Sequence, residues 1–277
     1  RIDLSFAVNN NQSFEPNEKV GLKLWTKNID KLIVKEFENN AFNYYLKNSR
    51  EVSTTIELDG LSATRERIIE TNLPPIRRNL QSVSFPNLNK RGVYVVEFIG
   101  NGISSRALIR KGTLRLLKKI GPAGHEFKIL DESNRLRDKA TLWLNGKEYS
   151  HKDGVILVPF TNKPGSRTVI LRDGDFASLA RFNHLGENYR LQVGFHVDRE
   201  SLRKNDKASL LVRPILRLNG YPTSLKLLQD CKLVIVTSNH DNQPTRIEVP
   251  IDELDAGKEF IHEFRVPERM HHLEAFL

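Results

Sequence analysis

The sequence predicts an all-β protein made of consecutive antiparallel β-sandwich modules. Apolar and polar residues alternate over many short stretches, and this period of two is typical of half-buried strands rather than helices. The clearest example runs from Tyr189 to Val197. Helical periodicity is limited to a turn or two at Ser201–Lys207 and Ser224–Asp230. The alternation of strands with longer helices that marks a parallel sheet is not found in the sequence.

Dipeptides that favour tight hairpins separate the alternating stretches. They are Asp59-Gly60, Asn101-Gly102, Asn145-Gly146, Asp153-Gly154, Asp173-Gly174 and Asn219-Gly220. Because such residues tolerate the positive φ of a two-residue turn, each dipeptide predicts a link between antiparallel strands. So many short strands indicate tandem antiparallel β-sandwiches of the immunoglobulin- or fibronectin-like class.

Length and composition limit the classes of protein that fit. The chain has 277 residues, 39% of them hydrophobic, which is enough for more than one buried core. Its single cysteine, Cys231, excludes an internal disulfide and a cysteine-based zinc site. Apolar runs such as Leu233–Val236 are far shorter than the roughly 18 residues that cross a bilayer, so no membrane span is predicted. The net charge of +9 favours polyanionic partners or serves solubility.

Two changes of pattern divide the chain into three predicted modules. The alternating run Val93–Ile109 ends shortly before Gly112, and the polar segment Asn183–Asn188 precedes the next clean alternation. We expect the joints at these places to be linkers that few contacts cross. The predicted modules are 1–112, 113–184 and 185–277, of which the middle one is small for an independent domain.

Several short motifs resemble those of a known family. Phe14–Leu22 resembles the Pro-Gly-Glu-x-Val opening strand of macroglobulin-type domains, with Asn17 in place of glycine. Arg91–Glu97 looks like the Gly-x-Tyr-x-Val closing strand of the same domains. Leu136–Trp143 followed by Asp153–Ile156 is similar to the small prealbumin-like modules. The chain therefore resembles the macroglobulin-type (MG) domain region of a large bacterial alpha-2-macroglobulin-like protein.

This resemblance implies a structural, protein-interaction role outside the cytoplasm, whether periplasmic, on the cell surface or secreted. The implied partners are the other domains of the parent protein, together with proteases or surface proteins. In that family an internal thioester formed by a Cys-Gly-Glu-Gln motif supplies the chemistry. Here Cys231 is followed by Lys232 and Leu233, so no thioester is expected from this segment.

Catalytic signatures are not found in the sequence. It has no His-Glu-x-x-His motif, no Gly-x-Ser-x-Gly elbow and no phosphate-binding loop. The eight histidines are dispersed, and the pair Asp173 and Asp175 lacks the spacing of a calcium loop. We therefore predict no catalytic residue, no metal site and no cofactor. Two alternatives stay open: an adhesin-like or carbohydrate-binding module, and an enzyme whose site assembles only in three dimensions.

The densest functional signal is a basic interval from Asn101 to Gly124, which contains six cations and no acid. On a strand, Arg106 and Arg110 would share a face because side chains repeat with a period of two. A stripe of uncompensated charge can bind glycans, lipid head groups or phosphates, whereas a solvated strand would meet acids of a neighbouring strand instead. The candidate polyanion-binding residues are Arg106, Arg110, Lys111, Arg115, Lys118 and Lys119.

Overall fold

Strands account for 55% of the computed structural model and helix for 5%, which confirms the predicted all-β fold. The structure describes residues 1–58, 62–71, 74, 76–252, 254 and 258–277. These residues form two compact units, unit 1 (Arg1–Leu185) and unit 2 (Gly186–Leu277). Among them, no helix combines the length and the apolar composition that crossing a membrane requires.

Unit 1 contains one described α-helix, α1 (Ala41–Asn48), and a series of short strands. In chain order the strands are β1 (Asp3–Phe6), β2 (Ser13–Phe14), β3 (Gly21–Lys27), β4 (Lys31–Asn39), β5 (Arg65–Glu70), β6 (Asn79–Ser84), β7 (Gly92–Gly100), β8 (Ile103–Lys111), β9 (Arg115–Gly121), β10 (Gly124–Leu130), β11 (Thr141–Leu144), β12 (Lys147–Tyr149), β13 (Ile156–Val158), β14 (Gly165–Asp173) and β15 (Phe176–His184).

These strands form two sandwiches. In the first, the sheet β1-β3-β6 faces the sheet β2-β8-β7-β4-β5 across a core that includes Leu24, Val96 and Phe98. In the second, the sheet β13-β10-β9 faces the sheet β12-β11-β14-β15 across a core that includes Phe127 and Leu171. Neighbouring strands pair antiparallel except β2 and β8, which are parallel. Alternation along each strand therefore delivers one set of side chains to a core, as the sequence predicts.

The hairpin predictions are confirmed where the structure describes them. Four of the dipeptides connect directly paired strands: Asn101-Gly102, Asn145-Gly146, Asp173-Gly174 and Asn219-Gly220. Asn101 and Gly102 have φ values of 46° and 78°, the left-handed conformation that a two-residue turn requires. Asp153-Gly154 closes the bridge between Lys152 and Val155. Asp59-Gly60 lies outside the described residues.

Helix α1 has no counterpart among the predicted elements. The side chain of Asn40 accepts a hydrogen bond from the backbone N–H of Asn43 and so caps its first turn. At the other end Ser49 adopts a left-handed conformation and its N–H donates to the carbonyl of Tyr45. Eight residues are too few for a helical period to stand out in the sequence, and a helix of this length depends on tertiary packing for its stability.

Helix α1 gains that packing because it lies between the two sandwiches of unit 1. One buried cluster, which we call the α1 core, contains residues from both sandwiches and from the helix: Phe37, Ala41, Tyr45, Val52, Leu58, Val93, Val95, Leu108, Ile170 and Ala177. Trp143 packs against Phe42 with ring centroids 5.1 Å apart, and the guanidinium of Arg172 lies 4.3 Å from the centroid of the same Phe42 ring. The α1 core therefore joins the two sandwiches through apolar burial.

The chain passes from one sandwich to the other through a segment held by hydrogen bonds. The N–H of Thr113 donates to the carboxylate of Glu132 at 2.7 Å, and the N–H of Leu114 donates to the hydroxyl of Ser178 at 3.2 Å. Gly112, with φ 83°, has no room for a side chain, because an added Cβ would lie 2.7 Å from Cγ of Arg91.

Arg91 adds an ionic contact at the same joint. Its guanidinium lies 2.6 Å from Glu132, 3.9 Å from Asp131 and 3.8 Å from Asp173. The expectation that few contacts cross this joint is therefore wrong, since each sandwich carries apolar surface that the other covers. The placing of a module boundary after residue 112 stays a prediction.

Unit 2 is a further sandwich with its own core, which includes Leu210, Val212, Leu233 and Ile235. One sheet has the order β16-β17-β18 with β21 also paired to β17, and the other has the order β20-β19-β22. The strands are β16 (Tyr189–Val197), β17 (Lys207–Leu218), β18 (Tyr221–Pro222), β19 (Lys232–Asn239), β20 (Pro244–Pro250), β21 (Phe260–Arg265) and β22 (Met270–Phe276).

Two short 3₁₀ turns occupy the loops of unit 2. One, Leu225–Leu227, lies inside the segment Ser224–Asp230 that the sequence predicts to be helical. The other, Arg199–Ser201, begins earlier than the predicted segment Ser201–Lys207, because the Asp198 side chain caps it by accepting from the N–H of Glu200.

Truncating a side chain of the α1 core should destabilise unit 1. Ile170 is 7% exposed and belongs to the second sandwich. We expect Ile170→Ala to lower the free energy of unfolding by about 2–5 kcal/mol, because it removes buried methyl groups and leaves a cavity. Urea denaturation monitored by fluorescence measures the change. Leu157→Ala, on a side chain that is 45% exposed, is the matched control and should change stability by less than about 0.5 kcal/mol.

The buried ring of His125 should make unit 1 sensitive to acid. His125 packs against Phe127, Phe182 and His184, with the two histidine rings 5.4 Å apart. Its Nε2 accepts a hydrogen bond from the N–H of Leu185 at 3.0 Å, so the neutral ring carries its proton on Nδ1. Burial, and then the nearby His184, hold the pKa of His125 below its usual value.

Because the folded state disfavours the charged ring, the unfolded chain binds more protons below about pH 6.5. The stabilisation is complete above that pH and declines as the pH falls towards the pKa of the folded state. We expect the midpoint temperature of thermal unfolding of unit 1 to decrease as the pH is lowered from 7.5 to 5.5. The variant His125→Gln should show a smaller decrease. His196→Gln, at an exposed position of β16, should leave the slope unchanged. An identical slope in His125→Gln would contradict the assignment.

Candidate interaction surfaces

Arg106 and Arg110 lie on the same face of β8, as the sequence predicts. The Nε of Arg106 donates to Glu97 at 2.8 Å. Arg110 donates to the carbonyl of Val52 at 3.0 Å, and its Nε lies 3.4 Å from the carboxylate of Glu51. Each guanidinium therefore has an acidic neighbour that the interval itself does not contain.

Lys111 points to the opposite face of β8 and is buried. Its side chain belongs to a residue that is only 3% exposed, and its ammonium donates to the carbonyls of Glu18 and Leu88, both at 2.8 Å. These carbonyls belong to the loops that precede β3 and β7. Lys111 thus fastens two loops of the first sandwich, and a polyanion in solution does not reach it.

The other three candidates lie on β9 and are exposed. Arg115 donates to the Asn134 side chain at 3.2 Å, and the ammonium of Lys118 donates to the carbonyl of Arg181. Lys119 lies 3.7 Å from Glu126. Arg106, Arg110 and Lys119 therefore meet acids from outside the interval, as the alternative of a solvated strand predicts, whereas the other three cations donate to neutral oxygens. Polyanion binding stays a prediction, and among these six residues it concerns the exposed cations of β9.

The residues that the sequence singles out for chemistry occupy structural positions. Trp143 is partly buried and packs against the α1 core. Cys231 is half-buried and packs against the core of unit 2. Within the described ranges, no three side chains of His, Cys, Asp or Glu lie close enough together to hold a metal ion.

A second basic surface lies on unit 2, on the side of the sheet β16-β17-β21 that faces away from the core. Strand β17 buries Ala208, Leu210 and Val212, so its other set of side chains points to solvent. We call this side the basic face and define it by Arg190, Lys207, Arg213, Ile215, Arg217, Ile261, Glu263 and Arg265.

The register of the strands sets cations of this face beside each other. Arg190 pairs across the strands with Arg217, and Lys207 pairs with Arg265. Like charges at directly opposite positions destabilise a sheet. Of the acids near the face, Glu263 lies among these cations on β21, and Glu259 forms an ion pair with Arg213. Cations therefore outnumber acids in the described part of this surface.

The centre of the basic face is apolar. Ile215 is 40% exposed and Ile261 is 58% exposed. Arg217 is held in place near them, since its Nε donates to Gln192 at 3.3 Å and its Nη1 donates to the carbonyl of Gly220 at 3.0 Å. Exposed aliphatic side chains ringed by charge are typical of a surface that another protein covers.

The sequence interpretation missed the basic face because its cations are spread over three strands. Arg190, Arg213 and Arg265 are far apart in the chain and form no run of positive charge. One signal can be seen in the sequence: Lys207, Arg213 and Arg217 are separated by even numbers of residues within one alternating strand, so their side chains share a face. Only the register between strands brings the three sets together.

Replacing the buried ammonium of Lys111 tests the structural interpretation of the basic interval. We expect Lys111→Met to lower the free energy of unfolding of unit 1 by about 1–3 kcal/mol, because two carbonyls lose their donor. Chemical denaturation measures the loss. Lys119→Met, at a side chain that is 71% exposed, should be nearly neutral. Equal stability of the two variants would contradict the assigned hydrogen bonds.

Two family models match parts of this chain. The model of the AbpF first immunoglobulin-like domain matches residues 32–112, and the model of the AbpF third immunoglobulin-like domain matches residues 198–277. The chain is also similar to "Actin-binding protein F" of Dictyostelium discoideum, with 35% identity over 283 residues and 99% of this chain covered. The chain spans 12% of the length of that relative.

Solved structures of Escherichia coli alpha-2-macroglobulin resemble the chain in fold. A fragment spanning domains MG0-NIE-MG1 is 12% identical, with a TM-score of 0.42 and coverage of 65% of this chain and 64% of that chain. The native conformation is 11% identical, with a TM-score of 0.38 and coverage of 99% of this chain and 19% of that chain. The link to bacterial alpha-2-macroglobulins is only structural, whereas the sequence matches lead to actin-binding protein F. The chain is a tandem of immunoglobulin-like β-sandwiches.

Proposed function

We propose that this chain is a non-catalytic protein-interaction segment of a longer protein, and that unit 2 binds an acidic partner protein through the basic face. The observation that carries the proposal is the arrangement of Arg190, Arg213, Arg217, Lys207 and Arg265 around exposed Ile215 and Ile261. Unit 1, with its shared α1 core, serves as a structural element of the parent protein.

The combination of charge and apolar surface favours a protein partner over a small ligand. Cations at the rim steer an acidic partner and set its orientation. Burial of Ile215 and Ile261 then adds roughly 25 cal/mol for each Å² removed from water. Guanidinium groups suit carboxylates in particular, because their planar geometry permits paired hydrogen bonds.

We choose filamentous actin as the partner to test first, because the similar Dictyostelium protein is named for binding actin. The extracytoplasmic location implied by the macroglobulin resemblance points to other partners, such as proteases or surface proteins, and stays a prediction. Polyanion or carbohydrate binding by the exposed cations of β9 is the other candidate function that the sequence supports.

Charge reversal on the basic face should weaken binding to actin filaments. Co-sedimentation of the full chain with filamentous actin gives the bound fraction at each salt concentration. We expect Lys207→Glu combined with Arg265→Glu to lower the affinity at least tenfold, because the two new carboxylates repel an acidic partner. The affinity of the unchanged chain should fall as salt rises, and the double variant should show a smaller salt dependence.

The matched control changes the same net charge elsewhere. Lys139→Glu combined with Lys152→Glu alters two exposed lysines of unit 1 and should leave the affinity within about threefold of the original, because neither lysine belongs to the basic face. Equal losses in both double variants would assign the binding to net charge alone. A chain that stays in the supernatant at low salt would contradict actin as the partner.

A further inference from the structure

We propose that strand β16 is an acceptor for an added β-strand, and that the segment it accepts is an extended peptide alternating apolar and acidic residues. The pairing uses the free edge of β16 and both sides of the strand, one of which carries Arg190 of the basic face. It needs unpaired backbone groups, which the partner proposed for the basic face does not require.

Strand β16 is an edge strand among the described strands of its sheet. All nine residues, Tyr189 to Val197, pair with β17 on one side, in a continuous register from Leu218 to Leu210. No described strand pairs with the other side. An edge strand of this kind presents a row of unpaired N–H and C=O groups that another extended segment can satisfy.

β16 also lacks several of the features with which proteins protect such edges. It contains no proline, its pairing with β17 has no bulge, and its core-facing positions carry no charge. The other nine-residue edge strand, β15, is partly covered, because Ser178 and the carbonyl of Arg181 accept hydrogen bonds from the segment 114–118. Strand β20 begins and ends at prolines, Pro244 and Pro250.

Three of the side chains that β16 turns towards the core side are only partly covered. Tyr189 is 47% exposed, and Leu191 and Phe195 are each 37% exposed. Their partners across the register on β17 are Leu218, Leu216 and Val212, which are 7%, 3% and 0% exposed. The row of apolar residues therefore continues past the covered core, and an added strand with apolar residues at alternate positions would cover it.

The opposite side of β16 determines the charge of the accepted segment. Arg190 and His196 point there, and Arg213 and Arg217 follow on the neighbouring strand. Acidic residues at the outward positions of an added strand would meet these cations. A second copy of β16 fits less well, because antiparallel pairing centred on Val193 would set Arg190 against His196 of the other copy.

A nine-residue peptide tests the proposal directly. The probe Val-Glu-Val-Thr-Val-Thr-Val-Glu-Val, acetylated, amidated and fluorescently labelled, places valine opposite each core-facing residue of β16. It places glutamate opposite Arg190 and His196 in either strand direction. We expect saturable binding to the full chain by fluorescence anisotropy. Replacing the central valine of the probe by proline should weaken binding at least tenfold, because the added ring distorts the strand and removes a donor.

Protein variants locate the site. Leu191→Lys puts a charge among the core-facing residues and should weaken probe binding at least tenfold, whereas Leu227→Lys, at a residue that is 56% exposed and outside β16, should leave it unchanged. Arg190→Glu should weaken binding of the glutamate probe severalfold. A second probe, with lysine in place of glutamate, should bind the Arg190→Glu variant better than it binds the unchanged chain. Circular dichroism establishes that each variant is folded.

The outcomes separate this proposal from its rivals. Loss with Leu191→Lys, retention with Leu227→Lys and the exchange of charge preference in Arg190→Glu support an acidic added strand. Equal binding of the probe by all variants, or no binding at all, overturns it. Self-association in sedimentation velocity that Leu191→Lys abolishes would assign the edge to a second copy instead. Leu191→Lys, Leu227→Lys and the proline-containing probe leave every residue of the basic face unchanged, so these results are independent of the actin experiment.

Discussion

The burial of β7 on both of its faces is the constraint from which the rest of unit 1 follows. Tyr94, Val96 and Phe98 pack into the first sandwich, while Val93 and Val95 point the other way into the α1 core. A strand with apolar residues on both faces cannot leave either face in water. Helix α1 covers part of the second face, and the sheet β12-β11-β14-β15 covers the helix in turn. The second sandwich therefore helps to bury the apolar face of β7 that the first sandwich leaves uncovered.

How far the sequence predicts the molecule depends on the distance over which each signal acts. Turn chemistry is local, and Asn101-Gly102 and Asn145-Gly146 lie where their conformational preferences place them. Alternation is nearly local and yields the strands. Helix α1 is not predicted from the sequence, because eight residues show no clear helical period. Its stability comes from packing against Ile170 and Ala177, more than a hundred residues away. Contacts of that range leave no pattern within either segment.

The same distinction explains the two basic surfaces. A run of positive charge is easy to see in a sequence. In the folded chain, however, Lys111 donates to two carbonyls and Arg106 donates to Glu97. The basic face of unit 2 comes from cations on separate strands that register brings together, so it is visible only after folding. Charge density along a chain therefore measures surface potential poorly in a β-protein, because neighbouring strands, rather than neighbouring residues, set the local field.

The shared α1 core also bears on how such a segment could be inherited. A lone sandwich can be copied, lost or inserted between others because its apolar residues are all internal. Unit 1 does not allow this, since removing the second sandwich would take Ile170 and Ala177 out of the α1 core and uncover the residues they pack against. The glycine at the joint, Gly112, is likewise fitted to side chains from both halves. The smallest part that recombination can exchange without uncovering a core is therefore the pair of sandwiches together with its helix.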